Sequence, residues 1–360
     1  VPVNNPSIFG ALPYLLTSRE SPLSFNILHG LRNPRWMLSF LNNCRASRVK
    51  NISEALGRFL MHADAGLDPL IAEAKAEELM VSNDCLYVWS SQSGFESAEE
   101  SNAMRRAQGV NFDELSPDQV RHLEPNLRQP IHRGLHFKGA RHVTDPQELV
   151  HRMQTRFETL GGRYCDHSVR QVQPDDLGVT VYIDDGTEIR ADRMALTAGA
   201  RSRHIKGTGA EKLPLGTERG YHILYRNSAS LVSRPVGWAE AGFYATPMAQ
   251  GLRIAGTVEI NAVYAPPNGK CTAYLKRKSH EMFGELGEPY KTWMAHRRTV
   301  PDSLPVIVYS PKSDRVVFSF VHQHIGLTLG GITGKIVTDL AQGKPAQLDV
   351  SDFAPQRFFQ

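Results

Sequence analysis

The run 321-VHQHIGLTLGGITGKIV-337 gathers two histidines and four glycines at what reads as the start of a helix. A phosphate-binding P-loop would need a glycine five positions before the Gly-Lys pair and a hydroxyl after it. Leu329 and Ile336 stand there instead, which excludes that chemistry. His322 and His324 alternate as two metal ligands on a strand would, yet no carboxylate or third ligand lies near them in sequence, and no metal is expected. A helix start also offers unpaired N–H groups and a partial positive charge, which suit an anion or an electron-rich ring. A turn that serves only the fold is the remaining alternative.

The rest of the composition narrows the classes. With 360 residues, 22% charged and 41% hydrophobic, the chain is long enough for two packed domains and has no disordered or collagenous bias. A net charge of +4 is mild, and the basic clusters at Arg45, Arg48 and Lys50 and at Lys276, Arg277 and Lys278 lack interleaved aromatics, so nucleic acid is not an expected partner. Cys44, Cys85, Cys165 and Cys271 are widely spaced with no CxxC pair, which argues against zinc or a disulfide scaffold and for a reducing, cytoplasmic setting. No apolar run approaches the roughly 18 residues of a spanning helix, so membrane association is peripheral at most, at the inner face.

Several elements must position these residues. Helical spacing runs through 50–74 with Ile52, Leu56, Phe59 and Leu60 inward, and 85-CLYVWS-90 reads as a strand. In 144-TDPQELVHRMQTRFETLGG-162, Asp145 caps, Pro146 suits the first turn, and Leu149, Val150, Met153, Phe157 and Leu160 form a stripe predicted to be buried. A hairpin is predicted around Asp185-Gly186, followed by Met194–Thr197, a run of the kind buried on both faces, ending at Ala198-Gly199-Ala200. Paired strands are expected around Gln250-Gly251, and a last strand at 315–324 precedes a helix from about Gly330 to Ala341.

Six separated segments, 139-GARHVTDPQEL-149, 192-DRMALTAGARS-202, 217-TERGYH-222, 245-ATPM-248 with 252-LRIAGTVE-259, 297-RRTVPDSLPVI-307 and 322-HQHIGLTLGGITG-334, keep a common order. Together they make the chain resemble the D-amino-acid oxidase superfamily of FAD-dependent oxidoreductases, especially its bacterial D-amino-acid dehydrogenase-like and glycine-oxidase-like branches. The resemblance implies an α/β fold, α+β overall, with FAD bound by residues 139–205 and 297–345. Residues 1–138 and 206–296 would form an antiparallel-sheet-plus-helices substrate domain, and 346–360 a C-terminal tail. It implies that Gly326, Leu327 and Thr328, with His324 beside them, meet the flavin ring, and that Val169, Ala198 and Gly199 line the dinucleotide. Arg297 would grip a substrate carboxylate, unless it serves backbone carbonyls or Asp302, while Tyr221 and His222 would line the pocket. The implied reaction oxidises the CH–NH2 or CH–NH bond of a D-amino acid or related small amine, with a quinone or other acceptor taking the electrons.

Some positions depart from that family pattern. No strand–GxGxxG–helix fingerprint occurs, so an incomplete Rossmann-like FAD domain, truncated at its N-terminal part and with exposed strand edges, is expected. Val308, Val321 and Gln323 replace usual glycines, and Arg298 a usual proline. The alternative reading is a catalytically silent member that at most binds a small ligand or a partner.

Overall fold

The structure, a computed structural model, describes residues 4–6, 9, 23–25, 33–262 and 264–358. The chain runs β1 (Leu23–Phe25), α1 (Pro34–Asn43), α2 (Ala46–Leu60), α3 (Ala63–Glu73), β2 (Met80–Ser82), β3 (Cys85–Trp89), α4 (Gln92–Ser97), α5 (Glu99–Ala107), β4 (Phe112–Leu115), α6 (Pro117–Leu123), β5 (Arg133–Phe137), β6 (Arg141–Val143) and α7 (Pro146–Thr159). There follow β7 (Val169–Pro174), β8 (Val179–Ile183), β9 (Glu188–Ala191), β10 (Met194–Leu196), β11 (Gly216–Tyr225), β12 (Val236–Trp238), β13 (Phe243–Met248) and β14 (Gly251–Ile260). The last elements are α8 (Gly269–Phe283), β15 (Lys291–Thr299), β16 (Val306–Ser310), β17 (Ser313–Phe320) and α9 (Gly326–Ala341). The mixed α/β class read from the sequence is the class observed.

The largest sheet orders its strands β15-β11-β14-β13-β12-β3-β5-β4, with β1 alongside β14. One face is the main core: Leu86, Val88, Ile223, Phe243 and Ile254 pack with Leu275 and Met282 of α8. Alternation along the strands sends their neighbours to the opposite face. The alternation is broken once. Thr257 adopts φ +55°, and the register between β11 and β14 shifts there, from Gly220↔Val258 to Tyr221↔Gly256. This β-bulge returns Glu259 to the core face, directly opposite Arg219, with Nη1 and Oε2 2.9 Å apart and both side chains buried.

A smaller sheet, β10-β17-β16, pairs β10 parallel to β17 and β16 antiparallel to it. Leu196, Val316 and Phe318 face one core, whereas Ile307 and Val317 face α9 through Leu329, Ile332 and Ile336. Among the described residues β10 pairs on one edge only, and Ala195 is exposed, so this strand is not buried on both faces as predicted. The β8–β9 hairpin and the β13–β14 hairpin form where they were expected.

Two further expectations are corrected. The last helix begins at Gly326, four residues before the predicted start, because Ile325 already turns with its N–H bonded to the His322 carbonyl. In α7 the Asp145 cap holds, accepting from Gln147 and Glu148, but only Leu149 of the stripe is buried, and Val150, Phe157 and Leu160 are exposed. Periodicity identifies an apolar face without saying what covers it.

What fixes α9 is a backbone-to-backbone contact with α3. A Cβ added to Gly331 would lie 2.3 Å from the Gly66 carbonyl carbon, and one added to Gly66 only 2.2 Å from the Ile332 nitrogen. At Gly334 an added Cβ meets nothing within 4 Å. Gly331→Ala is therefore expected to destabilise by about 1–3 kcal/mol or more, and Gly334→Ala to stabilise by roughly 0.5–1 kcal/mol. Urea midpoints of the two variants check this; equal shifts would contradict the packing.

Candidate active site

The sheet face opposite the main core carries the polar side chains. Strand pairing brings His222 beside Trp293 and Glu218 beside Arg297. The imidazole and indole stack with centroids 5.0 Å apart and planes 6° from parallel. Arg297 lies flat over the backbone of β11, where Gly220 makes room: a Cβ there would sit 2.7 Å from its Cζ. Asp302 does not hold Arg297, because the C-terminal tail takes it: Arg357 Nε donates to Asp302 Oδ2 at 2.6 Å. Glu218 is the charge that faces Arg297, and burial pushes its carboxyl up against the pull of the guanidinium and the Thr299 hydroxyl.

Burial, reinforced by the charges of Arg297 and Arg253, lowers His222 to about 3, so this imidazole stays neutral. His324 is exposed on the loop before α9. His322, lowered to about 4 by burial, turns away and shares a hydrogen bond with Thr333 Oγ1 at 3.1 Å. The two histidines therefore do not act as a pair, and no cluster suited to a metal ion occurs among the described residues.

Val321 and Gln323, on either side of His322, adopt φ +69° and +50°. They keep the left-handed backbone that glycine adopts freely and absorb the strain, Val321 by burial in the core and Gln323 by donating to Thr299 Oγ1 at 2.9 Å. The loop thus survives both replacements. It leads into the first turn of α9, which has no side-chain cap and no acidic residue, and where Leu327 and Thr328 are exposed.

Tyr221 is a correction. It lies on the other face of β11, its hydroxyl donating to Glu259 Oε2 at 2.5 Å and accepting from the Asn268 N–H at 2.8 Å, so it supports the sheet and does not line the pocket. Val169 opens β7 and packs against the core that contains Leu196. Ala198 precedes a short helical turn at Gly199, whose φ is +48° and whose added Cβ would meet no atom within 4 Å.

Sequence reasoning missed Arg253, Trp293, Gly220 and the stacked pair Tyr87 and Tyr244, centroids 5.5 Å apart. Arg253 carried a usable signal, as the single cation in the alternating run 252-LRIAGTV-258.

The crystal structure of glycine oxidase from Geobacillus kaustophilus shares this fold with a TM-score of 0.73 at 18% identity, over 82% of each chain. The chain belongs to the FAD dependent oxidoreductase family, whose model matches residues 24–340. It is 28% identical to a D-amino-acid oxidase of Bradyrhizobium diazoefficiens over 99% of this chain and 86% of that protein. It is also 29% identical to a glycine oxidase of Pseudomonas aeruginosa over 64% of each. Nothing in these comparisons favours a catalytically silent remnant.

The residues present fit the family's cofactor at its ring end. Gly326, Gly330 and Gly334 follow one another at four-residue spacing on α9, and added Cβ atoms at Gly330 and Gly334 would meet nothing within 4 Å. A helix face without side chains, beside uncapped N–H groups, suits a planar, electron-rich ring.

The neutral imidazoles set a pH dependence. Unfolded histidines take up protons near 6.5, whereas His222 and His322 in the fold do so only at about 3 to 4. Stability is full above pH 6.5 and is lost as pH falls through this window. His322→Gln is expected to flatten the dependence of Tm on pH between 6.5 and 4. An unchanged slope would show that His322 is not held neutral.

Proposed function

We propose that this protein oxidises the CH–NH2 or CH–NH bond of a D-amino acid or related small amine. The observation that carries the reading is Arg297, a half-buried guanidinium laid over Gly220 on the sheet face that also carries neutral His222. Bound FAD would supply the two-electron acceptor for oxidation at the substrate Cα. Arg297 holds the substrate carboxylate, for which a planar fork is better suited than an ammonium. His222, neutral and with its Nδ1 buried without a hydrogen-bond partner, walls the pocket beside the amine and takes no proton from it. Stacking on Trp293 keeps that imidazole from rotating. Tyr244, exposed on the same face, helps wall off water.

The amides of Gly326, Leu327 and Thr328 would hold the ring's pyrimidine edge, with His324 alongside, and Val169, Ala198 and Gly199 the dinucleotide. In this reading residues 139–205 and 297–345 form the FAD domain, and 1–138 with 206–296 the substrate domain. A quinone or another acceptor removes the electrons in the cytoplasm or at the inner membrane face. Free thiols and the absence of a membrane-crossing helix among the described residues support that setting. The basic cluster on α8 is paired, Arg277 with Glu281 at 3.0 Å and Lys278 with Glu281 at 2.6 Å, which weakens any lipid-binding role for it.

The test is anaerobic mixing of the flavin-loaded protein with D-amino acids while the visible flavin absorbance is followed. Bleaching is expected, and Arg297→Lys should lower kcat/KM about a hundredfold, mainly through KM. Absence of bleaching with any D-amino acid or glycine would refute the reading. Gly220→Ala is expected to mimic the arginine variant by displacing the guanidinium, with little change in Tm.

A further inference from the structure

Beyond the His222–Trp293 pair the same sheet face opens into a cavity of about 400 Å³, walled by Arg253, Lys291, Trp293, Met248 and Gln250 and by residues 144–147 at the start of α7. Its floor is apolar, but its charges do not cancel. Arg253 has no hydrogen-bond partner at Nε, and no acid faces it: burial alone lowers its pKa. Lys291 is exposed and sits over the Trp293 ring at 5.8 Å. The one carboxylate in the wall, Asp145, is engaged, with Oδ1 accepting from the Gln147 and Glu148 N–H groups at 3.1 Å each. His142, near enough to feel Arg253, stays neutral between the Asn83 side chain and the Pro247 carbonyl.

Across the ladder Arg253 stands opposite Leu224 of β11 and Thr246 of β13, neither of them an acid. Glu259, the acid of the same strand, is turned to the core by the extra residue at Thr257, where Arg219 takes it. A desolvated guanidinium without a counter-charge is costly, and an anionic ligand relieves that cost. Arg253 on β14 and Arg297 on β15 stand opposite Leu224 and Glu218 of β11, so they flank His222 from two sides on one sheet face.

We infer that this cavity is the substrate's side-chain subsite and selects amino acids that carry a second carboxylate, with Arg297 on the α-carboxylate and Arg253, assisted by Lys291, on the distal one. The inference rests on the amino-acid oxidation proposed above. Glutarate and pentanoate, which share a chain length and differ by one carboxylate, probe it directly by calorimetry on the flavin-loaded protein. Glutarate is expected to bind at least about tenfold tighter. Arg253→Gln should abolish that preference, and Arg253→Lys should retain part of it. Lys291→Met, at an exposed position where folding is not at stake, should reduce it about threefold. Equal affinities in the parent protein, or a preference that survives both Arg253→Gln and Lys291→Met, overturn the inference. Turnover separates it from its premise. D-glutamate should exceed D-glutamine and D-norvaline in kcat/KM; equal turnover of all three removes the subsite alone, whereas no flavin reduction by these, by any other D-amino acid or by glycine removes both.

Discussion

The buried pairing of Arg219 with Glu259 is the constraint on which the substrate face depends. The two residues oppose each other across β11 and β14. They are locked further by the Tyr221 hydroxyl and by Arg219 donating to the carbonyls of Ala265 and Pro266. Separating them would leave two uncompensated charges in the core, so the register of these strands is strongly specified. Because side chains alternate with period two, a slip of one residue would exchange Tyr221 for His222 and move the arginines away from the cavity. The pair itself touches no part of the candidate site.

That arrangement also sorts the arginines by role. Arg219 has its acid and is structural. Arg297 has Glu218 beside it and a glycine beneath it, which makes it a held but incompletely neutralised charge. Arg253 has neither acid nor hydrogen-bond partner for Nε. The gradation follows from what stands opposite each arginine across the ladder: Glu259 for Arg219, Glu218 for Arg297, and Leu224 and Thr246 for Arg253.

The parts legible in the sequence were those with local causes. The Asp145 cap, the hairpins at Gly186 and Gly251, and the strands that flank Arg297 and His222 follow from turn chemistry and alternation. Motif order pointed to Arg297, and its placement in the structure is coherent with that. The misses have non-local causes. Tyr221 sits next to His222 in sequence and on the wrong side of the sheet. Arg253 carried a signal in its alternating run, but its want of an acid depends on which strands pair with β14. The apolar stripe of α7 was read correctly as a stripe, but burial depends on what packs there. The early start of α9 escaped notice because glycine is a poor helix former, and here contact with α3 overrides propensity.

The neutral histidines have a consequence for how the site responds to its surroundings. With His222 uncharged down to acidic conditions and arginines that do not titrate, Glu218 is the group beside Arg297 whose charge follows pH, because burial raises its carboxyl. A change in affinity with pH then reports the ionisation of Glu218 or of the incoming molecule, and the site's own proton gauge is a single carboxyl next to its guanidinium.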